Sequence, residues 1–321
     1  MEDELWAALY PLAVEEDKRR PRLKRVQYSD AVIVLVYLWA VLHERPMSWA
    51  CQKRHWPKDL PWCDLPSEAT LSRRLRTLSV QLLWLQLFYR LLRAADPGTP
   101  AGPPDPRPDR PDRPDRPDPP LPWLCRRVDS KPLVVGGFSK DRDARRGYAT
   151  GGKARGYKLF CCWAKRGVVP EAVVLGPLSE SDQAGAMHLI DNLAELRPGG
   201  LYGYVLADAT HDTNPLYDHA ASRGLQLLAP RKAPNTGLGH REHSPHRLRS
   251  IDLLEGPGAF GPSLLALRGQ IERDLGNLTA FGGGLQPPPS FVRRPRRVAR
   301  WVVAKLIING IRICLNHGLT P

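Results

Sequence analysis

The chain is poor in what staples or anchors a small fold. Its 321 residues hold six cysteines, and Cys51, Cys63, Cys125, Cys161, Cys162 and Cys314 make no C-x-x-C pair, which argues against a zinc module and a disulfide-stapled scaffold. Long apolar runs are missing: the longest, Ala31 to Leu42, is too short to span a bilayer. The opening Met1-Glu2-Asp3-Glu4 lacks the basic-then-apolar profile of a leader, so a reducing, cytoplasmic setting with no membrane partner is expected. Acidic charge is in deficit, with 33 Asp and Glu against 47 Lys and Arg, a net charge of +14 and a pI near 9.8. That imbalance points to a polyanionic partner. Against these shortages, 42% hydrophobic residues and nine tryptophans supply a core and exclude wholesale disorder.

Proline is the abundant punctuator, with 33 residues. It concentrates at 97–121, where Pro-Asp-Arg recurs three times in succession at 108–116. Proline at every third position forbids helix and sheet, so this stretch reads as an extended spacer between two units. Before it, residues 1–96 read as an all-α domain, with helices at Glu4 to Val14, Asp30 to Leu42, 48–55, from an N-cap at Ser67, and about Val80 to Ala95. The pair 48–55 and 67–77 suits a helix-turn-helix whose second helix offers Arg73, Arg74 and Arg76 to DNA, or else a plain solvated face.

After the spacer, 122–317 reads as α/β. Strands are expected at Trp123 to Val128, Tyr157 to Ala164, Val168 to Leu175, Tyr202 to Ala207 and Leu225 to Ala229. Helices are expected at Asp182 to Leu196, Asn214 to Arg223 and Ser263 to Gly276, with a basic insertion at 231–262. That order gives a five-stranded mixed sheet with helices on its faces. Charge alternates along it: 121–170 carries twelve cations against three acids, 171–220 one against eight, and 291–321 seven against none. An acidic middle between basic flanks suits a metal site inside a phosphate-binding surface. Asp129 follows the first strand, Asp208 ends the fourth, and Glu272 lies four residues after Arg268 on one helix face; each aspartate alone also suits a turn.

Taken together these residues resemble the DDE transposases of bacterial insertion sequences, of the insertion-sequence-four and -five type. The resemblance rests on Val128-Asp129-Ser130, on Ser139 to Arg145 with Gly152-Lys153-Ala154-Arg155-Gly156-Tyr157-Lys158, on Leu206-Ala207-Asp208 through Asn214, on Arg268-x-x-x-Glu272, and on Gly282-Gly283-Gly284-Leu285 leading to Trp301. It implies a ribonuclease-H-like catalytic domain in which Asp129, Asp208 and Glu272 are both the catalytic and the metal-binding residues. Two Mg²⁺ ions, with Mn²⁺ able to substitute, would bind carboxylate oxygens, activate a water or 3′-hydroxyl, and stabilise the leaving oxygen. The implied partner is double-stranded DNA, as terminal inverted repeats and target, with a dimer on DNA and a nucleoid-associated protein. The family helix signature keeps Arg268 and Glu272 but has Leu265 in place of its tyrosine and Thr279 in place of its lysine. Rival readings are an inactivated repeat-binding protein and a nuclease on the same core that cuts without joining.

Gly147 to Ala154 nearly matches a P-loop but lacks the hydroxyl that would hold Mg²⁺, so no nucleotide cofactor is expected. Lys153, Arg155 and Lys158 read instead as a flexible basic loop on DNA. Arg293, Arg294 and Arg297 read as phosphate contacts. His240, His243 and His246 lie in a basic loop with little else to hold a metal, His211 stands in for an aromatic wedge or an acid/base, and Trp301 reads as core.

Overall fold

The computed structural model describes residues 2–21, 26–58, 64–95, 125–137, 139–164, 169–197, 200–240, 242–280 and 284–319. The spacer expected at 97–121 and the turn expected at 165–167 lie outside them. In chain order the elements are α1 (Glu2–Lys18), α2 (Asp30–Leu42), α3 (Met47–Ala50), α4 (Glu68–Arg74), α5 (Leu78–Ala95), β1 (Cys125–Val134), β2 (Arg145–Ala149), β3 (Gly152–Ala164), β4 (Ala172–Pro177), α6 (Asp182–Leu196), β5 (Gly203–Leu206), α7 (Asn214–Ser222), β6 (Leu225–Leu228), α8 (Pro245–Glu255), α9 (Phe260–Ala266), α10 (Ile271–Ala280) and α11 (Pro295–Asn316). They fall into two compact units.

One unit is helical and joins residues 1–95 to 135–143 and 277–321. Helix α2 is apolar all round and buried along its length, as its sequence dictates. Helices α1, α5 and α11 pack around it. Residues expected to belong with the α/β domain up to 317 therefore sit with the N-terminal helices. The reason is burial: α11 carries Val298, Trp301, Val302, Leu306, Ile307 and Ile311 inside, and the apolar faces of α1, α2 and α5 cover them. Asp30, buried at the start of α2, accepts hydrogen bonds from Ser79, Arg20 and Arg74. The expected helix-turn-helix is reduced, since 48–55 holds a single α-turn and a 3-10 turn, while Ser67 caps α4 as expected.

The other unit is α/β, built on a mixed sheet with helices on its faces. Strands β1, β5 and β6 are parallel; β3 lies antiparallel to β1, and its far edge pairs with β2 and β4. Among the described residues six strands form where five were expected. The additional one is β2, whose Arg-Arg-Gly-Tyr-Ala sequence has little strand preference and is held by pairing to β3 rather than by propensity. Residues of alternate parity fill opposite faces. Val128, Phe160, Cys162, Val205 and Ala207 pack under α6 and α7. Cys125, Leu206 and Leu228 pack with Leu264 of α9, flanked by Tyr204, Leu253 of α8, Phe260 and Leu267. Gly185 lets α6 come down on the Phe160 ring, which a Cβ there would meet at 2.1 Å.

The insertion at 231–262 is less irregular than expected. It contains α8, which packs on β6 and α7 because Arg247 reaches down to the buried Asp212 carboxylate at 2.6 and 2.8 Å.

Candidate active site

The two aspartates meet because of register and parity. Parallel pairing sets Cys125 beside Tyr204 and Arg127 beside Leu206; the same register carried two residues further sets Asp129 level with Asp208. Both share the parity of Cys125 and Leu206, so both face the side covered by α8 and α9. A 3-10 segment, Leu267–Gln270, follows α9 on that side and carries Arg268. Its guanidinium Nη2 lies 3.6 Å from Asp129 Oδ2 and 3.9 Å from Asp208 Oδ2, with side-chain exposures of 23%, 21% and 34% respectively. Arg268 Nε is buried and has no hydrogen-bond partner.

The two carboxylates differ electrostatically. Burial pushes the Asp129 carboxyl above the ordinary aspartate range, against the opposing pull of the Ser130 amide, 2.7 Å away, and of Arg268. Burial acts upward at Asp208 too, but hydrogen bonds from His211 and Thr210 outweigh it and hold that carboxyl well below the ordinary range. The Thr210 amide donates at 2.9 Å, its hydroxyl also donates, and His211 Nδ1 stands 2.7 Å from Asp208 Oδ1. An ionised carboxylate only accepts, so the ring's Nδ1–H points at it. His211 is itself buried, which removes it as an exposed wedge and makes it a partner that orients Asp208.

Glu272 is exposed and stands outside this set. The cause lies in α10. Ile271, Asp274 and Leu278 form its buried face, and Asp274 pairs at 3.1 Å with Arg127, which is buried in β1. Two residues along a helix are about 200° apart, so Glu272 is turned away from the side that Asp274 presents. Among the described residues, no group of three or more His, Cys, Asp or Glu side chains is placed to hold a metal ion. The aspartate pair alone fits a hard cation: its donors are carboxylate oxygens, and they converge on a positive group, the guanidinium.

Other expected DNA contacts differ in exposure and in the partners they hold. Lys158 Nζ donates to the Glu180 carbonyl at 2.9 Å and pairs with Asp182, which also accepts from Ser130 Oγ at 2.8 Å. Arg74 is bound to Asp30 and to the Tyr28 carbonyl. These two cations hold the fold rather than face a ligand. Arg73, Lys153, Arg294 and Arg297 are exposed, and Arg155 is half-buried. Arg293 is half-buried with its Nε on the Ser290 carbonyl. His243 binds the Leu238 carbonyl and approaches Arg247, so it serves the insertion's own folding. Trp301 is core, as expected. Sequence reasoning passed over Lys131, which shares the Asp129 face of β1 and whose ammonium pKa burial pushes down; the period-two spacing from Asp129 could have marked it.

With this geometry in view, the family described as Transposase DDE domain matches residues 125–307, more than half of the chain. The chain is also similar to a cryo-EM structure of a piggyBac transposase synaptic complex with hairpin DNA, at 10% identity and a TM-score of 0.42 over 98% of this chain and 72% of that one. No curated protein sequence matches it.

Proposed function

The chain belongs to the transposase DDE-domain family, and from that premise we propose that Asp129, Asp208 and Glu272 are its metal-binding carboxylates, acting on the terminal inverted repeats of its own element. It is a DDE-type transposase, an enzyme whose partner is DNA and whose family works with divalent metal ions. No described helix is long and apolar enough to cross a membrane. The proposed metal is a pair of Mg²⁺ ions, replaceable by Mn²⁺, and the proposed assembly is a dimer that brings two DNA ends together at the nucleoid.

The observation that carries the reading is the convergence of Asp129 and Asp208 on one cationic group. The bound metal would supply Lewis acidity on both sides of the scissile phosphate. The rest is done by side chains: Asp208, kept ionised by His211 and Thr210, presents a fixed anionic oxygen, and Asp129 presents one whose charge burial disfavours. Arg268, drawn off the aspartates, contacts phosphate. Glu272 enters by a turn of α10. The four-residue 3-10 segment winds about 120° per residue against 100° in an α-helix, so rewinding it turns α10 by about 80° relative to α9. No side chain becomes covalently attached; water frees a 3′-hydroxyl that then attacks target DNA.

The test uses a plasmid carrying the coding sequence with its native flanks, purified full-length chain and Mg²⁺. Wild type should release 3′-hydroxyl ends and joined products, while Asp129→Asn, Asp208→Asn and Glu272→Gln should each lose at least about a hundredfold of the cleavage rate. Cleavage by Glu272→Gln at the wild-type rate would remove that residue from the set.

A further inference from the structure

The β2–β3 hairpin has two unlike faces. Pairing sets Tyr148 opposite Lys153 and Arg146 opposite Arg155, so these four side chains share one face of the ribbon. The other face is made of Gly147, Ala149, Gly152, Ala154 and Gly156, with Arg145 opposite Gly156 at its end. A Cβ on Gly147 would come within 2.2 Å of the Leu178 carbonyl oxygen, and one on Gly156 within 2.2 Å of the Leu133 carbonyl oxygen. The ribbon thus lies on neighbouring backbone by its glycine face, and that contact fixes which face turns outward. Gly151 and Gly152, with φ of +97° and +119°, make the reversal. The glycines that resembled a phosphate loop in the sequence serve this ribbon.

On the outward face Tyr148 is 73% exposed. It has no ring partner or hydrogen bond among the described residues, and no acidic residue occurs in 144–164. Folding gains nothing from a large ring held in water between three cations. A polyanion whose flat groups can stack does. In an intact duplex the base faces are occupied by their neighbours, so a tyrosine can stack only where a base is unpaired or terminal.

We propose that this face is a binding surface for unpaired DNA: Tyr148 stacks on a base while Arg146, Lys153 and Arg155 contact the phosphates on either side. The proposal rests on the reading of DNA as partner, and it assigns the hairpin to single-stranded segments, such as opened ends, rather than to sequence reading in a groove.

The experiment measures fluorescence anisotropy of the full-length chain at about 0.15 M salt with two labelled probes, a blunt 20-base-pair duplex and the same duplex with a four-nucleotide single-stranded tail. The tail carries 2-aminopurine, whose emission reports stacking. Wild type should prefer the tailed probe and quench it. Tyr148→Ala should cut tailed affinity by about tenfold, leave the blunt duplex within twofold, and abolish quenching, while Tyr148→Phe keeps both. Arg146→Ala with Lys153→Ala should weaken the tailed probe and lower its salt slope by about two. Tyr148→Ala binding the tailed probe as tightly as wild type, with quenching retained, would overturn the inference alone. Failure of wild type to bind either probe would overturn it together with the reading of DNA as partner.

Discussion

Removing the Arg268 guanidinium should tighten metal binding while it destroys turnover. At 3.6 and 3.9 Å from two carboxylate oxygens, a unit positive charge gains roughly 4 kcal/mol per contact at an effective dielectric constant near 20. Desolvation and the ordering of a long side chain return most of that, leaving about 1–1.5 kcal/mol net for each contact. A divalent cation entering between Asp129 and Asp208 must therefore displace about 2–3 kcal/mol of existing attraction. Arg268→Ala removes that competition, which at about 1.4 kcal/mol per tenfold predicts an affinity for Mn²⁺ or Mg²⁺ some 30- to 100-fold higher. The same substitution leaves two half-buried carboxylates facing each other without a counter-charge, so the metal-free variant should melt lower and recover more on adding metal. Isothermal titration and metal-dependent melting measure both effects without DNA, and Arg268→Lys should fall between. Metal affinity unchanged or weakened in Arg268→Ala would refute the view that the guanidinium holds the cation position.

Asp129 gives a pH signature. Its folded pKa is raised by burial, so its ionisation costs stability fully above that raised value, and the cost is gone below about 3.8, where the unfolded group also protonates. Asp129→Asn should thus melt higher than wild type at pH 7, with the gap closing as pH falls across that window; a constant gap would contradict it. Asp212→Asn, which leaves Arg247 unpaired beside a buried site, should cost about 3 kcal/mol in chemical denaturation. Gly185→Ala should cost about 1–3 kcal/mol by overpacking against Phe160, and Phe160→Leu in the same chain should return part of it. Arg74→Ala should destabilise the helical unit by about 2 kcal/mol through Asp30, whereas Arg73→Ala should leave the melting temperature unchanged and lower DNA affinity.

The legible part of the fold was the part set by local pattern. Helix α2 is bounded as its apolar run and Ser29 cap dictate, α6 starts at its Ser181 cap, and the parity of β1 and β5 was enough to aim Asp129 and Asp208 at one edge. What escaped depends on partners distant in sequence. The cations of α4 look alike until Asp30, 44 residues earlier, claims Arg74, and Lys158 looks free until the start of α6 supplies Asp182. The amphipathic pattern of α11 declares a buried face without naming what covers it, and so the C-terminal helix was placed with the wrong unit. Strand β2 carries almost no strand-forming residues, and only the glycine face beneath it explains why it pairs.

Glu272 shows where pattern reasoning stops at the site itself. Its spacing from Arg268 puts both on one face only if the intervening residues wind as an α-helix, and they wind as a 3-10 segment through Gln270. That difference separates the two side chains: Arg268 lies on the aspartates, and Glu272 is turned outward with α10 held by the Arg127–Asp274 pair. In the proposed triad the segment rewinds as an α-turn, which would bring Glu272 round to the face of Arg268, beside Asp129 and Asp208, while the long guanidinium reaches away to phosphate. On that proposal, release of the guanidinium and completion of the carboxylate set would go together, with DNA phosphate as the group that draws Arg268 off the aspartates.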